Sequence, residues 1–449
     1  MGKRLLFNPW GIILRLALPS VVSFATMTLT GTINLIMVGH LASTAIAVVG
    51  VSNIIIYNAW ALFSGLGNTV NYLVAQNFGA QTMRQGVERT WITLYYCLGV
   101  SVVVMCGAIF AGSILRFVGS AVLAEAGTAY LRFRFAALVF GLFSFVFHGF
   151  FRGIGDTRTP AVLSFLGCGV MIFFTYVLTY GKLGFPEMGL QGAGWAFLLG
   201  ELLGFFGCLY VYFIRLHKRF QTRRRTAFNK PEARLILRES GKLGLQEFAM
   251  SISMFIFTAF VGRLGIDALA ANEVALNVMS LGFMPAFAFS STATILVGQE
   301  VGKGKPLAGR RFGTHTAVIG SLFLLALGIG EFILADRIGQ FYTTNRDVAA
   351  LAADLIRISA FMQLFDGLFN YYAGGLRGIG DTAFLLKAAV MTSLAFFVPL
   401  TYVLTFLFDL GSIGAWISLY VYLTVLGLTL LIRFYRTDWL QVKAKNVAL

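Results

Sequence analysis

Arg152-Gly153-Ile154-Gly155-Asp156-Thr157 recurs letter for letter as Arg377-Gly378-Ile379-Gly380-Asp381-Thr382, 225 residues further along the chain. Six identical residues in a row point to an internal duplication, which fixes an architecture before any single residue is interpreted. Two further correspondences share an offset of 223: Val38-Gly39-His40-Leu41 with Val261-Gly262-Arg263-Leu264, and Val74-Ala75-Gln76-Asn77-Phe78-Gly79 with Val297-Gly298-Gln299-Glu300-Val301-Gly302. A weaker match sets Gly194 of Gly192-Ala193-Gly194-Trp195 beside Gly414 of Ser412-Ile413-Gly414-Ala415-Trp416.

The segments around these motifs are apolar. Of the 449 residues 58% are hydrophobic and 12% charged, and the mean hydropathy is +0.79. Those values lie outside the range of soluble domains, so the solvent is a membrane. Runs long enough to cross a bilayer, roughly 20 residues each, lie near 12–38, 46–75, 93–115, 128–150, 160–181, 192–214, 241–262, 270–297, 315–335, 350–373, 384–408 and 412–432. In hydrocarbon every backbone amide must be satisfied within its own segment, so runs of this length read as helices and not as barrel strands. The expected fold is an all-α membrane protein of twelve transmembrane helices.

Equivalent motifs are six spans apart, an even number, so the two halves face the same way and are related by a pseudo-twofold axis along the membrane normal. The expected organisation is an N-lobe at 1–215, a basic cytoplasmic linker at 216–236 and a C-lobe at 237–449. Two parallel six-helix lobes would leave a cleft that rocking could open to either side.

The net charge of +16 does not signal nucleic acid, because no soluble domain exists to display a basic face. Most Lys and Arg fall at the termini and in even-numbered connections, which places both termini in the cytoplasm. The densest stretch, from His217-Lys218-Arg219 to Arg238, reads as a solvated face or a contact with anionic lipid. The first apolar run is too long, and lacks the small-residue cleavage pattern, for a removable signal peptide. Cys97, Cys106, Cys168 and Cys208 lie in apolar runs without CxxC spacing, so neither disulfide nor metal use is expected. No convergent His, acid or Ser set suggests an enzyme. The repeated RGxGDT follows helices four and ten, where two glycines permit a tight turn. There Arg and Asp can pair or cap, and a structural role outweighs direct substrate contact.

These residues together resemble the multidrug and toxic compound extrusion (MATE) transporters, specifically their DinF-like branch. The resemblance spans nearly the whole chain. It rests on Pro19, Val38-Gly39, the two Val-x-Gln-x-x-Gly elements, and the two RGxGDT turns, the first continued by Arg158-Thr159-Pro160. Tyr130-Leu131-Arg132-Phe133-Arg134 adds to it. It implies a secondary active exporter of hydrophobic or cationic compounds in a bacterial inner membrane, driven by inward flow of protons or sodium ions. No cofactor is implied beyond that ion. Small drugs and membrane lipids are the expected partners, and the chain is expected to act as a monomer. The alternative within the superfamily is a flippase of lipids or lipid-linked saccharides. Arg-rich inner helices would mark such a flippase, and few Arg lie well inside these spans.

Relatives carry an Asp in helix one, four residues before Val-Gly, and an Asn and an Asp in helix five; here Asn34, Met171 and Thr175 stand there. An Asn does not titrate, so the N-lobe switch of the family is missing at that position. Acidic residues inside spans cost about 2.5–3.5 kcal/mol at a helix centre and default to functional candidates. Asp366 matches a family cation-site Asp and shares a helical face with Gln363 and Asn370. Glu247 lies within two or three residues of a family Glu, with Met250, Ser251 and Met254 on its face. Glu201 matches no motif and reads as a structural hydrogen-bonding group.

Cation coupling is thus expected at Asp366, Glu247 and Asn34. Substrate contacts are expected from two stripes: Ser23, Met27, Thr30 and Asn34 on helix one, and Trp60, Ser64 and Asn68, with Asn71 beyond, on helix two. The competing reading of both stripes is packing through interhelical hydrogen bonds. Pro19, Pro285 and Pro399 interrupt spans one, eight and eleven as hinges or as static kinks.

Overall fold

The computed structural model describes residues 9–445 apart from 40, 42, 119–120, 225–228 and 343–345. Among them the secondary structure is entirely helical. The long helices are α1 (Pro9–Gly39), α2 (Ser43–Gly79), α3 (Met83–Ile109), α5 (Ala121–Gly153), α6 (Arg158–Tyr180), α7 (Gly189–Tyr210), α9 (Lys230–Gly262), α10 (Ile266–Gly302), α11 (Pro306–Tyr342), α12 (Arg346–Ile379) and α15 (Gly411–Arg436). Between α12 and α15, α13 (Thr382–Val390) and α14 (Val398–Tyr402) alternate with wide π turns at Met391–Phe397 and Val403–Leu407, making one further long rod. Short α4 (Ala111–Val118) and α8 (His217–Phe220) complete the set.

Eleven of these rods, counted among the described residues, are long and apolar enough to span a membrane. The exception is α12, 34 residues long. It is as long as its neighbours but carries Arg346, Asp347, Asp354, Arg357, Asp366 and Arg377. The fold is the twelve-helix arrangement read from the sequence, with the polar helix placed where the ionisable candidates lie.

The helices gather into two compact units. Unit 1 holds the described residues up to 21 and those from 245 onward, and unit 2 holds 22–244. The division therefore passes through α1 two residues after Pro19 and through α9 just after Gly244.

Each unit repeats the other's local construction. In unit 2 the RGxGDT turn is closed by Gly155 N–H to Arg152 O (2.8 Å) and Asp156 N–H to Phe151 O (2.9 Å); in unit 1 the same bonds run from Gly380 to Arg377 and from Asp381 to Leu376, both 2.9 Å. Gly155 and Gly380 take φ of 85° and 80°, a left-handed conformation open to glycine without steric cost. The turn after α2, with Thr82 N–H on Asn77 O, has its counterpart after α10 in Lys305 N–H on Glu300 O, each 2.9 Å.

Helix packing repeats as well. A side chain at Gly149 would press on the carbonyl oxygen of Gly67, and one at Gly374 on that of Ser290. A Cβ at Gly153 would lie 2.8 Å from Val74, and one at Gly378 2.9 Å from Val297. Lipid is as apolar as a leucine side chain, so helix association relies on close backbone approach at such small residues.

The weak fourth match is corrected. A Cβ at Gly192 would meet Leu178 O at 2.6 Å, and one at Gly414 would meet Leu404 O at 2.6 Å. Gly192, not Gly194, is therefore the counterpart of Gly414. The two are set by the carbonyl they pack against, which a run of small residues cannot reveal.

Candidate functional site

In unit 1 the polar groups collect along one face of α12. Gln363, Asp366, Asn370 and Arg377 recur at steps of three, four and seven, a ladder rising about 21 Å. Asp366 is 5% exposed. Asn370 Nδ2 donates to its carboxylate at 3.2 Å and to its backbone carbonyl at 2.9 Å. No cation pairs with Asp366 among the described residues. Two tyrosines, Tyr371 on α12 and Tyr422 on α15, feel its charge.

Below Asp366 on the ladder, buried Arg377 reaches toward Glu247 of α9, with Nη2 3.7 Å from Oε1. At the other end Gln363 Nε2 donates to Glu331 of α11. Glu331 is itself 5% exposed. Sequence reading passes over it, although a carboxyl inside the apolar run 315–335 is the same signal that marks Asp366.

The two RGxGDT arginines have different partners. Arg377 faces Glu247; Arg152 stacks its guanidinium 4.5 Å from the ring of Phe24, which stands 223 residues before Glu247. Nor does either arginine pair with the aspartate of its own motif. Asp156 caps α6 through Thr159 N–H (3.0 Å) and Thr159 Oγ1 (2.6 Å), and Asp381 pairs with Arg433 at 2.9 Å. The motif is a turn whose Arg turns back into the bundle.

In unit 2 the stripe on α1 meets α5 and α6. Ser23 Oγ lies 3.2 Å from Ser164 Oγ and accepts from Arg152 Nη2 at 3.3 Å. Thr30 Oγ1 contacts Cys168 Sγ at 2.9 Å. Asn34, 1% exposed, donates from Nδ2 to Tyr130 Oη at 3.4 Å, while its Oδ1 has no partner among the described residues. Tyr130 Oη also accepts from Arg134 Nη1 at 3.0 Å. The side chain of Met27 lies outside the described residues. Met171 and Thr175, where relatives carry polar and acidic groups, are both buried.

On α2, Trp60 is half-buried between Tyr57 (5.8 Å, stacked) and Phe145 (5.5 Å, edge-on). Ser64 is buried and donates to Ala61 O at 2.8 Å within its own helix. Asn68 is half-buried beside it.

A separate buried network ties the start of α9 to α2 and α3 inside unit 2. Arg89 is fully buried and grips Glu232 through Nε (2.8 Å) and Nη2 (3.2 Å). Arg89 Nη1 also donates to Asn77 Oδ1 at 2.9 Å. Gln85 donates to Glu232 at 3.0 Å and Tyr72 to Glu239 at 3.0 Å. Nothing local in the sequence announces these pairs, since Arg89 and Glu232 are 143 residues apart.

Among the described residues no group of three His, Cys, Asp or Glu stands close enough to hold a metal ion.

Comparison with known proteins places this geometry. A probable multidrug resistance protein NorM from Thermotoga maritima is 26% identical over 91% of this chain and 88% of its own length. A protein of the same description from Bradyrhizobium diazoefficiens is 28% identical over 94% and 92%. Among solved structures, a MATE crystal structure in the bent conformation superposes with a TM-score of 0.86 at 22% identity, covering 96% of both chains. An outward-facing multidrug resistance MATE transporter of the MOP superfamily gives 0.85 at 23%, covering 97% of both. The MatE family model matches residues 19–177 and 243–403, one stretch in each half of the duplication. The chain therefore belongs to the MatE family of membrane transporters.

Proposed function

We propose that this protein is a secondary active exporter of hydrophobic or cationic compounds, driven by inward flow of protons or sodium ions through alternating access. The observation that carries the reading is Asp366: a carboxyl buried in a membrane helix, held by Asn370 and without a counter-charge among the described residues. Such a group is costly to bury ionised and is retained where a cation or proton binds and leaves. Relatives described as multidrug resistance proteins support the substrate class. The protein resides in a bacterial inner membrane with both termini cytoplasmic, a placement supported by the distribution of Lys and Arg.

The site comprises Asp366 and Glu247, with Asn34 where relatives carry an Asp in helix one; Ser23, Met27, Thr30, Trp60, Ser64 and Asn68 contribute to drug binding. Proteoliposomes loaded with a fluorescent cationic dye and given an imposed proton or sodium gradient provide the test. Asp366→Asn should abolish gradient-driven dye movement while leaving the yield and melting temperature of the purified protein intact. Undiminished transport by that variant would remove Asp366 from the mechanism.

A further inference from the structure

The two repeats differ at one informative position. The offset of 225 fixed by the RGxGDT turns, and matched by the Gly149/Gly374 and Gly153/Gly378 contacts, puts Gly141 of α5 opposite Asp366 of α12. Where unit 1 has its buried carboxyl, unit 2 has no side chain at all. The space is nevertheless filled by a carboxyl. A Cβ built on Gly141 would meet Glu201 Oε2 at 3.2 Å, Cδ at 3.4 Å and Oε1 at 3.7 Å, its three nearest neighbours.

Glu201 reaches this place from α7. By the offset of 222 that relates Gly192 to Gly414, its own counterpart on α15 is Leu423. The repeats have thus exchanged the element that carries the acid: Gly with Glu in unit 2, Asp with Leu in unit 1. An aromatic contact supports the alignment. Phe140 meets Phe205 at 5.4 Å, and their counterparts Phe365 and Gly427 are in contact through the Phe365 carbonyl, 2.8 Å from a Cβ placed at Gly427.

The surroundings of Glu201 leave the carboxyl available. Its charged neighbour is Arg134 of α5, and Cys208 on α7 also feels it; no titratable group of α6 acts on it among the described residues. Arg134 forms no ion pair with it within 4 Å. That guanidinium is instead stacked 3.8 Å from the ring of Phe197 and bonded to Tyr130 Oη. The Glu201 side chain is only partly buried, and no protein group among the described residues hydrogen-bonds its carboxyl.

We propose that Glu201 is a second coupling carboxyl, binding a proton or monovalent cation in unit 2 at the place where Asp366 does so in unit 1. This rests on the reading of the protein as an ion-driven exporter. It supplies the titratable group that Asn34 cannot, and it sets a carboxyl of unit 2 against α5 at the position that corresponds to Asp366 of α12.

Proteoliposomes at zero membrane potential, carrying an uncharged dye and a tenfold cation gradient, distinguish the outcomes. With two coupled cations the dye gradient at static head reaches about 100-fold, and with one it reaches about tenfold. Wild-type protein should give the larger value and Glu201→Gln the smaller. The double variant Gly141→Asp/Glu201→Ala, which moves the acid onto α5 as in unit 1, should restore the larger value.

A Glu201→Gln variant with the wild-type ratio overturns the proposal. So does a loss that the relocated acid fails to restore, since Glu201 would then act through its own contacts and not as the counterpart of Asp366. Wild-type protein that builds no dye gradient would instead refute the exporter reading itself. Melting temperatures of all variants separate misfolding from altered coupling.

Discussion

Replacing Glu232 by Gln should destabilise the protein out of proportion to the single atom changed. Arg89 is 0% exposed and the Glu232 side chain 10%, so the substitution takes the charge of Glu232 away from a buried guanidinium. Removing one partner of a buried pair costs about 3–5 kcal/mol. The amide can still accept one of the two bonds, which places the effect near the lower bound, about 3 kcal/mol. Heat inactivation of a membrane protein is measured as a rate. If the pair is broken in the transition state, that energy corresponds to inactivation about 100-fold faster at fixed temperature. The assay is loss of monodisperse protein in detergent against time. An Arg89→Met/Glu232→Met double variant should return close to wild type, because apolar replacement of both partners removes the stranded charge. A Glu232→Gln rate within twofold of wild type, or a double variant worse than the single, would refute the reasoning.

Two other outcomes follow from the geometry. Gly149→Ala and Gly374→Ala should each cost about 1–3 kcal/mol, because each methyl enters a backbone carbonyl that cannot move aside; melting temperatures that fall for one and not the other would deny the equivalence of the two contacts. Asn34→Asp should fold normally and steepen the cation dependence of export, since Tyr130 has a hydroxyl proton to offer and Arg134 supplies a positive charge nearby; proteoliposome transport across a range of cation concentrations measures it.

The duplication, the helices and the first candidates were legible because they depend on local chemistry. A six-residue identity needs no coordinates, and twenty apolar residues cross a bilayer whatever surrounds them. Asp366 stands out by the cost of burying it and by its match to a family cation-site Asp; the first of these signals marks Glu331 as well. What stayed hidden depends on which helix faces which. RGxGDT suggested that Arg and Asp pair or cap; Asp156 does cap, but Arg152 and Arg377 turn away to Phe24 and Glu247, partners more than a hundred residues distant. Glu201 looked like an unmatched acid because its meaning lies in the glycine opposite it. The offset of 225 was available from the motif itself and already placed Gly141 against Asp366; what it could not say was which side chain occupies the empty space.

The wide turns between α12 and α15 have a consequence for how the halves diverged. From Thr157 to Leu178 the chain takes 21 steps, and from Thr382 to Leu404 it takes 22, although the two leucine carbonyls meet equivalent glycines. One residue has been added and swallowed by the widened coils around Pro399. In a regular α-helix each extra residue rotates everything beyond it by about 100°; a widened coil takes up the residue locally, so Leu404 still presents its carbonyl to Gly414. Duplicated halves that keep their backbone contacts thereby change which side chains face inward only along the widened coil, acquiring unlike chemistry on like frameworks.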